Sequence, residues 1–127
     1  MMKKLPLILF VLIFTFLSLP AFADQGPLKF SIREGSNARA HKHNEEGISH
    51  YNKGHYDVAL KHFQKASKED SNVGESHYNE ALCLDKLGKH GEATNHFYAA
   101  RKYAKGNSAI LGSKILNAHA PMKREGS

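Results

Sequence analysis

Residues 43–66 recur thirty-four positions later. His43 returns as His77, Gly47 as Ala81, Gly54 as Gly88 and Ala59 as Ala93. His62-Phe63 returns as His96-Phe97, and Ala66 as Ala100. A period of this length, with small and aromatic residues at fixed places, belongs to a helix–turn–helix unit repeated in tandem. One such unit exposes an apolar face that it cannot bury alone, so neighbouring units must stack. The period therefore restricts the chain to an all-α solenoid fragment before composition is considered.

The helices follow from apolar spacing and from glycine. A first helix is predicted over 38–53, ending at Gly54, and a second over 56–68, where Tyr56, Ala59, Leu60, Phe63 and Ala66 share one face. Asp70, Ser71 and Asn72 break the chain and offer caps for a third helix over 74–87, which ends at Gly88. A fourth is predicted over 91–104 with Ala93, Phe97, Ala100 and Ala104 inward, and a single shorter fifth over 108–118, stopped by Pro121. Gly47 and Ala81 let the two helices of a unit approach, and Ala59 and Ala93 sit at the same contact. Gly54 and Gly88 supply the positive φ of a helix end. Phe63 and Phe97 are expected between units, and Ala66 and Ala100 are expected to admit the next one.

In these small and aromatic positions, residues 40–107 resemble two units of the tetratricopeptide repeat (TPR) family. The resemblance implies two helix–turn–helix hairpins, 40–73 and 74–107, with 108–118 as a capping helix. There are departures: Ser71 and Lys105 stand where the family usually has proline, and His55 and Lys89 where it often has an acid. In this family the first helix of each unit lines a concave groove that holds a protein or peptide segment. Carried over by position, the groove residues are Asn44, Ile48, Tyr51 and Asn52, then Tyr78, Asn79, Leu82, Asp85 and Lys86, with Leu111, Gly112 and Ile115 as a third wall. Amides suit the backbone of an extended peptide and aromatic rings its side chains; a merely wet helix face is the alternative. Of the residues with which some members clamp a C-terminal carboxylate, only Asn79 is present, so carboxylate capture is not expected.

The N-terminus reads as a signal peptide over 1–23: Lys3-Lys4, an apolar run from Leu5 to Leu19, and Ala21-Phe22-Ala23 before Asp24. A retained membrane anchor is the alternative. The expected location is the periplasm of a Gram-negative bacterium, with secretion as the alternative. From Asp24 onward there are sixteen basic and twelve acidic residues, a net charge of +4; the stretch from Arg101, including the tail 119–127, is +5 and the remainder −1. That end allows peripheral contact with an anionic surface, or reads as cations favourably placed at a helix C-terminus. Residues 24–39 contain alternating Leu28, Phe30 and Ile32. That run is expected to fold back on the first unit or to pair with a second copy, since two units are fewer than a stable solenoid normally needs.

The nine histidines raise the question of a metal. No two are four apart on a helix, and His43 and His50, seven apart, are about 10 Å from each other along one. They read as solvated surface residues, with no metal or other cofactor expected. Cys83, the lone cysteine, lies between Leu82 and Leu84 and reads as buried packing. No nucleophile motif, phosphate loop or paired-acid pattern is present, so no enzyme is expected. Nor is nucleic-acid binding, because the basic residues are not interleaved with stacking aromatics. The function expected is protein–protein interaction, as a scaffold or adaptor in a periplasmic or envelope complex. The alternatives are a self-assembling homo-oligomer and a histidine-rich metal-binding protein.

Overall fold

The computed structural model of the chain describes Lys3, residues 25–31 and residues 36–122. Among these residues there are six helices and no strand: α1 Ala38–Asn52, α2 Tyr56–Glu69, α3 Gly74–Lys86, α4 His90–Lys102, α5 Ser108–Leu111 and α6 Lys114–His119. Helix α1 pairs with α2 and α3 with α4, α2 packs on α3, and the short pair α5–α6 closes the end against α3 and α4. This is an all-α solenoid fragment of two hairpins and a cap. The apolar run of the expected signal peptide and the basic residues Lys123 and Arg124 lie outside the described residues. No helix among the described residues is long and apolar enough to cross a membrane.

Local chemistry sets the helix ends. The Asn37 side-chain oxygen accepts the N–H groups of Arg39 and Ala40 at 3.0 and 3.2 Å, which satisfies donors that the first turn of α1 leaves unpaired. Gly54 and Gly88 both stand at φ 78°, so each hairpin turns on a residue without a Cβ. The break between hairpins departs from expectation. Helix α3 opens at Val73 with no side-chain cap, and Asp70 Oδ1 instead accepts the N–H of Asn72 at 3.2 Å, which tightens the turn.

Ala59, Phe63, Ala66, Ala93, Phe97 and Ala100 are all fully buried. The Phe63 ring, expected between units, lies over Gly47 inside its own hairpin; a Cβ at Gly47 would stand 2.5 Å from it. Burial of each Phe side chain is worth about 1.5–3 kcal/mol. Cys83 is buried as expected, and its thiol pKa is pushed up to about 12 by desolvation, with the Glu80 carboxylate adding to the shift.

The cap is two helices where one was expected over 108–118. Gly112 closes α5, and the Ser113 hydroxyl opens α6 by accepting the Leu116 N–H at 3.3 Å, so the backbone breaks between them. Ile110, Leu116 and Ala120 are fully buried beneath the cap. Arg101 holds its far end, donating to Asn117 Oδ1 at 2.7 Å and to the Ala120 carbonyl. This places the Arg101 charge in a structural contact.

Candidate functional site

The inner face of the two hairpins is occupied by the chain's own residues 25–31. Asn44 on α1 and Asn79 on α3 are both fully buried. Asn79 Oδ1 accepts the Leu28 N–H at 2.7 Å, and Asn79 Nδ2 donates to the Leu28 carbonyl at 2.8 Å. Asn44 Nδ2 donates to the same carbonyl at 3.0 Å, and Asn79 Nδ2 also donates to Asn44 Oδ1 at 2.8 Å. Both main-chain polar groups of Leu28 are thus satisfied by side-chain amides, one from each hairpin. The Leu28 side chain packs on the main core together with Ile48 and Tyr51. Phe30, only 9% exposed, closes a second cluster with Ala40, Ala66 and Val73 and meets the His41 ring edge-on at 5.3 Å. Of the two placements open for the Leu28–Ile32 run, the structure has Leu28 and Phe30 folded back; Ile32 is outside the described residues.

The other expected groove residues divide. Tyr78 and Leu82 are interior residues, at 0% and 1% exposure, and do not line an open groove. The Tyr78 hydroxyl lies 2.9 Å from Ser113 Oγ of the cap, and its ring meets Phe97 of α4 edge-on at 5.8 Å. Tyr51 is half-buried against the Tyr56 ring at 5.0 Å, whereas Asn52 and Lys86 are exposed at the far end. Asp85 is half-buried; its Oδ1 accepts from His90 Nδ1 at 2.7 Å and lies 3.0 Å from His119 Nε2. Leu111 and Gly112 are exposed and Ile115 is half-buried, so the third wall belongs to the cap. The structure therefore brings Asn44, Ile48, Tyr51 and Asn79 together around one segment and separates Asn52, Asp85 and Lys86 from it.

The histidines are less solvated than the sequence implies. Among the described residues, three groups combine two histidines with one carboxylate: His43, Glu46 and His62; His77, Glu80 and His96; and Asp85, His90 and His119. The first two are the same arrangement displaced by one repeat. In each, a His and a Glu one helical turn apart on the first helix face a His on the second. His62 is 21% exposed and His96 33%. Desolvation lowers the pKa of His62, against the opposing pull of Glu46 and with His50 adding to the depression. Desolvation opposes but does not outweigh His43, His62 and Lys42, which together lower the Glu46 carboxyl. The sequence signal for these groups was present: Glu46 returns as Glu80 at the same offset as the histidines.

Two stacked helical hairpins, with amides that hold the backbone of Leu28 against them, define a short helical-repeat fold. Residues 40–73, the first hairpin with the turn that follows it, match the family model of the tetratricopeptide repeat. No curated protein and no solved structure matches the chain. Repeats of this family serve as protein–protein interaction modules, typically without enzymatic activity.

Proposed function

We propose that this protein is an exported scaffold or adaptor of the bacterial envelope, whose paired amides Asn44 and Asn79 receive an extended segment. The observation that carries this is the clamp on both main-chain groups of Leu28. Hydrogen bonds to backbone accept any residue at that place, while the surfaces around Ile48, Tyr51 and Phe30 select the flanking side chains. Residues 25–31 are then the resident occupant, and a partner gains access by displacing them. Export rests on the Lys3-Lys4 start, the apolar run and Ala21-Phe22-Ala23, and processing there would put Leu28 within a few residues of the new N-terminus. The intact mass of the protein recovered from the periplasmic fraction tests this, since cleavage predicts a chain beginning at Asp24.

The second reading is self-assembly, in which residues 25–31 of one copy fill the inner face of another. It is favoured by the same clamp, which reads the backbone and would hold a second copy equally well. Light scattering on the protein with and without residues 25–31 separates the two. An adaptor is monomeric in both forms. A dimer or larger species that reverts to monomer on deletion supports self-assembly and overturns the adaptor reading.

A further inference from the structure

We infer that each hairpin carries a site for a zinc-class divalent cation, formed by His43, Glu46 and His62 in the first repeat and by His77, Glu80 and His96 in the second. Two imidazoles and one carboxylate are a ligand set that zinc accepts, with a fourth position left open. In each group three ligand atoms, one per residue, lie within 4.8 Å of one another. Tetrahedral zinc with bonds near 2 Å places its ligand atoms roughly 3.3 Å apart. The spacings here are 3.3 Å from His43 Nδ1 to Glu46 Oε2, 3.0 Å from His62 Nδ1 to Glu46 Oε2, and 3.3 Å from His96 Nδ1 to Glu80 Oε2.

The second repeat shows that these are more than ion pairs. Glu80 is 3% exposed, and a carboxylate removed from water is stabilised by hydrogen bonds and by a nearby positive charge. One of its oxygens accepts from the Ser67 hydroxyl, which leaves Oε2 toward His96. His96 Nδ1 and His77 Nδ1 are buried and have no hydrogen-bond partner. His77 Nε2 lies 2.8 Å from the Ser71 carbonyl and donates its proton there, so Nδ1 carries the lone pair. That outer contact fixes the tautomer of a metal-ligating histidine. In the first repeat His62 Nδ1 is likewise buried without a hydrogen bond, although Glu46 Oε2 is only 3.0 Å away. His43 Nδ1 does hydrogen-bond to Glu46 Oε2, at 3.3 Å, so a cation in the first repeat would displace that contact, whereas in the second repeat both histidine Nδ1 atoms are without a hydrogen-bond partner.

The third group lacks this character. His90 is 66% exposed and hydrogen-bonded to the Asp85 carboxylate at 2.7 Å, and the third residue, His119, comes from α6, so this group ties the cap to α3 and α4 and has no counterpart in the first repeat. The two repeat sites each join the first helix of a hairpin to its second. A bound ion would staple each hairpin of a solenoid that has only two units.

The test uses protein expressed from the full-length sequence, stripped with EDTA and titrated with Zn²⁺ against a chromophoric chelator, with Co²⁺ absorption reporting coordination geometry. Two ions per chain are expected. His62→Gln and His96→Gln should each weaken one site by at least tenfold, the double variant should lose both, and His90→Gln should keep both. Circular dichroism on each variant reports that the helices persist. Absence of stoichiometric uptake, uptake that survives the double variant, or loss caused by His90→Gln would overturn the assignment. A single ion abolished by His96→Gln alone would overturn the paired arrangement.

Discussion

Asn44 and Asn79 stand on the first helices of successive hairpins, touch each other through an amide–amide hydrogen bond of 2.8 Å, and converge on one carbonyl, that of Leu28. Neither is at the position equivalent to the other: the repeat of Asn44 is Tyr78. The clamp is therefore a property of the junction between units and would not exist in either hairpin alone. Asn79→Leu removes three of its four hydrogen bonds and leaves Asn44 Oδ1 buried without a donor. It should lower stability by about 1–3 kcal/mol and open residues 25–31 to protease. Urea denaturation and limited proteolysis check both effects.

Glycine at two places should respond oppositely to the same change. A Cβ on Gly74 would stand 2.7 Å from the Tyr103 carbonyl oxygen, and backbone cannot be pushed aside cheaply. Gly74→Ala should destabilise by about 1–3 kcal/mol. At Gly91, inside α4, a methyl group would meet nothing within 4 Å, and alanine there should stabilise by about 0.4–1 kcal/mol. Thermal melts of the two variants should move in opposite directions.

Cys83 should be inert in the native protein. Its thiol pKa, pushed to about 12 by burial and by Glu80, leaves almost no thiolate at about pH 8. A thiol reagent under those conditions should label it only after denaturant is added. Rapid labelling of the folded protein would contradict its placement in the core.

Most of the helical frame was legible in the sequence because it rests on local and periodic signals. Gly54 and Gly88 stop α1 and α3 by backbone conformation, and the Ala59–Phe63–Ala66 stripe fixes which face of α2 is buried. What escaped depends on contacts between distant residues. Gly112-Ser113 looks like helix interior until Tyr78 reaches Ser113 from α3. Residues 25–31 have no helical period, and their partners lie up to fifty-one positions away. The His–Glu–His groups need a side chain from each helix of a hairpin, so spacing along one helix did not reveal them. The repeat offset of Glu46 and Glu80 was the available clue.

Arg101 offers a test of the cap. Its guanidinium ties Asn117 and the Ala120 carbonyl to the end of α4. Arg101→Ala should loosen α6 and destabilise the protein by about 1–3 kcal/mol, with the loss concentrated in the C-terminal segment. Amide hydrogen exchange that rises across residues 114–120 and stays unchanged in α1 and α2 is the expected pattern.

The most direct measurement is the binding in trans of a labelled peptide with the sequence of residues 25–31 to the protein lacking that segment, followed by fluorescence anisotropy. Saturable binding is expected, and it should be lost when Asn79 is replaced by leucine in a variant whose helical signal is retained. Absence of binding, or equal binding to both proteins, would contradict a concave face that grips an extended backbone.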